Sequence, residues 1–549
     1  MAFRPTWKHE SKVRRDSIPP HACIIPASMK RLITLLTAFA LTACATDSSL
    51  WGVQSTPTAR SSTATIPASE TSSPSPTDTF VPTEAATFAP TDPIPTQTLV
   101  QVVTPNPQDQ PILYYAQSGD SMEAVAVHFG VDKTEITSPK NLPAGGLIEA
   151  GTLLIVPDRI EAETTPSEKI VPDSDVIFSA SASDFDIPTF IAEAGGYLSQ
   201  YRQWLTTPGW TTGTDVLVRV TRDNSANPLL LLALLEYESS WVYGTPVNMF
   251  REKYPMGYQI QDDDEGLYKQ LQWAVNQLFD GYYGWRTGTL TEITFPDGET
   301  LRLNPELNAG TVAVQYFISR QHKRAEWERI LDINSPSSFP AYFTEMFGDP
   351  WVRAQTVEPL FPAGVNQPSM VLPFEPNTQW NLTSGPHGAW DPLGPLAAID
   401  FAPASDHKGC DVSSLWVVAS APGLVIRSEN GVVIVDLDKD GNEQTGWNLL
   451  YLHIADDGRV RLGDLVQTNS RIGHASCEGG ISTGRHLHFA RKYNGEWIIA
   501  DGMLPFVLSD WTVHAGAKPY QGTLTRGARI VTADPFGQAW SVIIRMPNE

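Results

Sequence analysis

Basic residues are scarce in this chain of 549 residues: 38 Lys and Arg stand against 61 Asp and Glu, a formal net charge of -23. That balance argues against a nucleic-acid partner, because phosphate contacts need clustered Lys and Arg. Cysteine is scarcer still, at four. Two of these, Cys23 and Cys44, precede the folded body and leave it only Cys410 and Cys477. Long apolar runs are missing too. The run 32–43 falls short of the roughly 20 residues that a bilayer-spanning helix needs. At this length the chain exceeds one ordinary domain, so several units are expected.

What the N-terminus does have is a basic start, Met29-Lys30-Arg31, a short apolar core and a small residue before a break. That is the layout of an export signal. The break itself, Leu41-Thr42-Ala43-Cys44, resembles the lipobox of bacterial lipoproteins. The resemblance implies that Cys44 is lipidated and that the chain is exported to the cell envelope and anchored to the membrane. Met29 is then the expected start, and residues 1–44 stay outside the fold. In an exported chain, Cys410 and Cys477 most simply pair.

Residues 45–110 are Ser, Thr, Pro and Ala with few large apolar side chains. Such a stretch cannot bury enough surface to offset its ordering entropy and reads as a disordered stalk. Residues 111–158 follow with strand, helix, short helix and strand expected. Three signatures stand out: Tyr114 with Gly119-Asp120-Ser121, Ala126 with Phe129-Gly130-Val131, and Gly151 with Leu154 and Val156-Pro157. They resemble the LysM family, which implies a β-α-α-β module that binds glycans such as peptidoglycan. An acidic linker is expected over 159–186.

Residues 187–365 read as mostly helical, with apolar residues at helical spacing over 229–241, 266–280 and 308–329. The run Leu234-Leu235-Glu236-Tyr237-Glu238-Ser239-Ser240-Trp241 resembles a helix end of lysozyme-like transglycosylases. That likeness implies Glu238 as a general acid acting on glycan; an ion-paired or capping glutamate is the plainer reading.

Residues 370–510 are rich in β-branched runs broken by Gly, Asp and Asn, and read as an antiparallel β-sandwich-like domain. Residues 511–549 are expected to be a C-terminal extension. Six of the eleven histidines fall in the β domain: His387, His407, His453, His474, His486 and His488. Side chains two apart on a strand share a face, so His486 and His488 can be aimed into one site. Imidazole is the commonest metal ligand, and two histidines with one carboxylate suit a catalytic zinc. His387, Asp400 and His453 lie at loop or strand ends where they can join that pair. His407 reads as a surface-loop residue, and His474 as structural.

The segment Ser482-Thr483-Gly484-Arg485-His486-Leu487-His488, with Tyr451-Leu452-His453 and an upstream His387 before Asp400, resembles the zinc endopeptidases of the lysostaphin and beta-lytic type. Most members draw their first ligand from His-x-Gly-x-Asp, where this chain has Leu396. The beta-lytic branch uses a Gly-x-His loop upstream, as in Gly385-Pro386-His387. The resemblance implies His387, Asp400 and His488 as ligands of one zinc, and His453 and His486 as the catalytic pair. It implies peptidoglycan peptides as substrate. A weaker signal, Asp436-Leu437-Asp438-Lys439-Asp440-Gly441, matches the opening of a calcium loop, with Trp447 where the twelfth-position glutamate belongs. A hairpin turn on Asp-Gly explains it equally. The expected whole is a multidomain chain of LysM module, mostly α lysozyme-like domain and β peptidase domain. Two rivals stand beside the peptidase: a non-catalytic wall-binding scaffold and a glycan cleaver acting through Glu238.

Overall fold

The computed structural model describes residues 110–260, 264–404 and 409–549. The export signal, Cys44, the stalk and His407 lie outside the described residues. Among the described residues, no helix is long and apolar enough to cross a membrane.

The first module pairs the strand Ile112–Tyr115 antiparallel with Leu153–Val156 and lays the helix Met122–Phe129 against them. Ser121 caps that helix by accepting the Ala124 N–H at 3.1 Å, and Gly130 ends it in the left-handed region. The expected second helix shrinks to a single 3-10 turn, Lys133–Glu135. Ile136 and Thr137 are β-branched and Pro139 follows, so the chain extends and Thr137 bridges to Ile155 instead.

The helical domain starts earlier than expected. The acidic stretch expected as a linker is largely built into the core: Ile170, Val171, Val176 and Ile177 are buried within it. Around them pack Gly213–Asn224, Pro228–Ser239, Leu267–Arg286 and Ala309–Ser319. Pro228–Ser239 has Leu229 to Leu235 all buried, the mark of a helix enclosed on every side. Gly281 lets Leu267–Arg286 cross Ala309–Ser319 closely, since a Cβ there would meet the Ala313 Cα at 2.8 Å. The single helix expected over 308–329 is two, Ala309–Ser319 and Arg324–Leu331. The second folds back so that the Trp327 indole donates to the Gln315 carbonyl at 2.9 Å.

The β domain is built on an antiparallel nine-stranded sheet. Its main path runs Leu465–Val466, Gly423–Glu429, Val432–Asp436, Trp447–Leu452, Leu487–Tyr493, Leu396–Pro403, Gln379–Gly388 and Val542–Ile544. One face, with Ile399, Tyr451 and Phe489, packs on two smaller sheets, giving the layered arrangement expected. The opposite face, with Ala398, Leu450 and Ala490, continues the core of the helical domain. Residues 511–549 are no appendage: Trp511, Val513, Leu524 and Ile543 join the core, and Val542–Ile544 pairs with Gln379–Gly388.

Two buried charge networks cross the domain boundaries. Arg286 bonds the Ser118 carbonyl of the first module and pairs with Asp173 at 2.9 Å and Glu496 at 3.3 Å. In the second network, Arg427 pairs with Asp223 at 3.0 Å, and Glu443 lies between Arg427 and Lys492. Burial alone would raise the Glu443 carboxyl, but Arg427 and Lys492 outweigh it and hold it down at about 2. Lys492 is itself pushed down by burial, so the pair contributes less than the carboxyl alone suggests. A carboxyl held below its unfolded value adds stability that is full above that value and lost as pH falls toward the folded one. This contribution, on the order of 1–3 kcal/mol, should therefore disappear between about pH 4.5 and pH 2. Urea titration at pH 6 and pH 3 checks it: Glu443→Gln should lower the midpoint at pH 6 and much less at pH 3.

Candidate metal centre

Four imidazoles and one carboxylate meet where four neighbouring segments of the sheet end. Asp400 stands directly opposite His488 across the Leu396–Pro403 and Leu487–Tyr493 pairing. His387 comes from the next strand, after register shifts on either side of it that re-aim its ring. His453 follows Trp447–Leu452 with φ at 65°, a left-handed turn that directs its ring back over the sheet end. His486 precedes its strand and is held by a bridge to Ser476.

Three ligating atoms form a nearly equilateral triangle. His387 Nε2 lies 3.0 Å from His488 Nδ1, His488 Nδ1 lies 3.2 Å from Asp400 Oδ1, and His387 Nε2 lies 3.3 Å from Asp400 Oδ1. Bonds of about 2.0–2.2 Å to a tetrahedral zinc space its ligands about 3.3–3.5 Å apart, close to these edges. All three residues are buried.

The outward hydrogen bonds fix the tautomers. His387 Nδ1 donates to the Gly385 carbonyl at 2.9 Å, and His488 Nε2 to the Ala389 carbonyl at 2.8 Å. His453 Nδ1 donates to the Glu478 carbonyl at 2.7 Å, and His486 Nδ1 to the Gly484 carbonyl at 2.8 Å. A carbonyl only accepts, so each bonded nitrogen carries the proton, and each neutral ring turns a lone pair to its other nitrogen. For His387 and His488 those lone pairs face Asp400 Oδ1, a buried oxygen with no hydrogen-bond donor. Such a gathering of acceptors is costly unless a cation joins them, so the residues fit a zinc ion.

Burial would raise the Asp400 carboxyl; where His387 and His486 carry the extra proton, their charge outweighs burial and holds it well below the usual range. Burial, then His486 and His488, push the His453 imidazole down to about 3, so it is neutral at physiological pH.

Sequence reasoning missed Tyr520. Its ring stacks on His387 with centroids 4.6 Å apart, reaching the site from the segment expected to be an extension. Gly385 admits that approach, because a Cβ there would meet the Gln521 backbone at 2.4 Å. The outward carbonyls escaped as well, since a main-chain acceptor leaves no mark in the sequence. Cys410 and Cys477 are disulfide-bonded, and Cys477 lies between Ser476 and Glu478, both bonded to His453. His474 stands apart, its ring against Trp416.

The other candidates resolve differently. The Asp436 carboxylate accepts the N–H groups of Asp438, Lys439 and Gly441, and Trp447 opens a strand at the twelfth position. The three carboxylates do lie near one another. The turn itself accounts for them, and the calcium expectation has no further support. Glu238 is buried, with Oε2 taking the Arg251 guanidinium at 2.9 Å and His322 3.7 Å from Oε1. The Arg251 contact is one that the ion-paired reading expects.

A family model described as the LasA N-terminal domain matches residues 169–360, the helical domain, where a lysozyme-like unit was expected. Protease LasA of Pseudomonas aeruginosa is 25% identical over 375 residues, covering 64% of this chain and 79% of that protein. The beta-lytic metalloendopeptidase of Lysobacter enzymogenes is 25% identical over 162 residues, covering 28% of this chain and 84% of that protein. Among solved structures, the M23 metalloprotease pseudoalterin matches at 23% identity and a TM-score of 0.26, covering 33% of this chain and 100% of its own. The chain is thus a homologue of metalloendopeptidases. Its helical domain corresponds to the LasA N-terminal family model.

Proposed function

We propose that this chain is an exported zinc endopeptidase that hydrolyses the peptides of peptidoglycan. The observation that carries the reading is the set of outward N–H bonds that turn the His387 and His488 lone pairs onto Asp400. His387, Asp400 and His488 would hold the ion. When bound, zinc supplies a Lewis acid for the scissile carbonyl and a water whose pKa falls to about 7. His453 and His486 lie beside the ligands, their ring centroids 4.4 Å apart. Each offers Nε2 as a proton acceptor or, once charged, as a donor to the developing oxyanion and the leaving amine. Burial of the ligands excludes competing water from them.

The substrate class rests on the beta-lytic resemblance and on relatives named as protease and metalloendopeptidase. A LysM-like module on the same chain suits a glycan-borne peptide, and a lipidated Cys44 would hold the enzyme at the envelope. For the anchor, Cys44→Ser should abolish incorporation of labelled fatty acid and move the protein from the membrane to the soluble fraction.

The enzyme test is digestion of purified peptidoglycan by the full chain with zinc. Release of free amino groups supports the peptidase; release of reducing sugar ends points to Glu238. A zinc-loaded protein that releases neither is a wall-binding scaffold.

A further inference from the structure

The loop 388–394 follows the first candidate ligand and carries the carbonyl that orients the third. Ala389 O accepts the His488 Nε2 proton at 2.8 Å. Two residues further on, Asp391 leaves the β domain and inserts its carboxylate against the helical domain. Gln272 Nε2 donates to Asp391 Oδ2 at 2.9 Å, and Asn276 Nδ2 donates to Oδ1 at 3.1 Å. These amides stand four residues apart on Leu267–Arg286 and therefore share one helix face. Behind them, Asn224 Nδ2 holds the Gln272 Oε1 at 2.6 Å, and the Asn224 carbonyl takes the Trp497 indole N–H at 2.7 Å.

Gln272, Asn276 and Asn224 are all buried, and Ala389, Ala397, Ala398 and Ala490 of the β domain belong to the core shared with the helical domain. Polar groups in such a place are costly where unpaired, so the bonds that the Gln272 and Asn276 amides make to Asp391 favour one geometry. Asp391 also organises its own loop. Its Oδ1 accepts the Leu393 N–H at 3.0 Å, and its carbonyl accepts the Gly394 N–H at 2.8 Å. Ala389 N in turn donates to the Pro395 carbonyl at 2.9 Å, which closes the loop on itself.

We propose that Asp391 is a positioning residue through which the helical domain sets the metal centre: Gln272 and Asn276 clamp its carboxylate, the clamp fixes loop 388–394, and the loop aims the Ala389 carbonyl at His488. This rests on the zinc endopeptidase reading. Partners that orient a metal-bound histidine typically change metal affinity by 10–100-fold when lost.

The test is zinc affinity by chelator competition on the full chain, with kcat and KM on a peptide substrate beside it. Asp391→Ala and the double variant Gln272→Leu/Asn276→Leu break the same clamp from opposite sides. Both should bind zinc about 10–100-fold more weakly. At saturating zinc, kcat should fall with KM little changed. Asn276→Ala removes one of the two bonds and serves as the milder variant, with a few-fold loss, should the others fail to fold. A purely structural clamp would lower the unfolding midpoint and leave zinc affinity and kcat alone. Folded variants with wild-type zinc affinity and kcat overturn the proposal and leave the peptidase reading intact. A wild-type chain that binds no zinc overturns both.

Discussion

His488→Ala should empty the metal centre and lower release of free amino groups from peptidoglycan by about a thousandfold or more. The estimate comes from two lines. A bound metal supplies several kcal/mol of transition-state stabilisation, and each ~1.4 kcal/mol is a factor of ten in rate. His453→Ala is the informative companion, because His453 contributes no corner to the ligand triangle. That variant should keep its zinc while losing roughly 10²–10⁴ in turnover, the usual worth of a positioned acid or base. Zinc content by atomic absorption and amine release by ninhydrin separate the two roles. If His453→Ala also loses zinc, the ligand assignment must be redrawn. If His488→Ala keeps both zinc and activity, the site lies elsewhere.

Arg286→Met should be among the most damaging single substitutions outside the site, at about 3–5 kcal/mol. Arg286 is buried with Asp173 and Glu496, donates to the Tyr282 hydroxyl at 2.8 Å and bonds the Ser118 carbonyl. Removing the cation leaves two carboxylates in a water-poor interior where three units of the chain meet. The cost should be pH-dependent. Burial already pushes the Glu496 carboxyl up, and without Arg286 it rises further. A carboxyl raised above its unfolded value is most compatible with folding at low pH and loses that advantage as pH rises. The gap between variant and wild type should thus be widest near pH 7 and narrow toward pH 4, read by chemical denaturation. Neutralising all three groups together, as Arg286→Met/Asp173→Asn/Glu496→Gln, should recover much of the loss, because an absent network carries no desolvation cost. Equal stability of Arg286→Met and wild type at pH 7 would refute this account.

The candidate site was legible where side-chain chemistry and strand alternation coincide. His486 and His488 announce themselves by spacing, and Asp400 by ending an apolar strand run. Their assembly was not legible in the same way. The His387 strand needs register shifts to aim its ring, and His453 needs a left-handed backbone, and neither follows from periodicity. The helical reading of 229–241 held because Leu229 to Leu235 leave no alternative to burial. The linker reading of the stretch before Asp186 failed because its acidic residues masked four buried aliphatic ones, and Asp173 and Asp175 are themselves buried against Arg286 and Arg353. Composition counts charges, whereas burial depends on whether a partner waits for them. Tyr520 was hidden for a simpler reason: it reaches His387 across more than a hundred residues of chain, with only glycines to mark the approach.

The edge strand Val542–Ile544 lies against Gln379–Gly388, the strand that brings His387 to the metal centre. Residues 542–544 thus close the sheet beside a strand whose candidate ligand, His387, lies about 150 residues earlier in the chain. Contacts of such long sequence separation form late in folding. A folding intermediate that lacks this pairing therefore carries every side chain of the candidate site without its supporting edge. Deleting residues 540–549 should expose the backbone edge of Gln379–Gly388 and loosen the strand that carries His387.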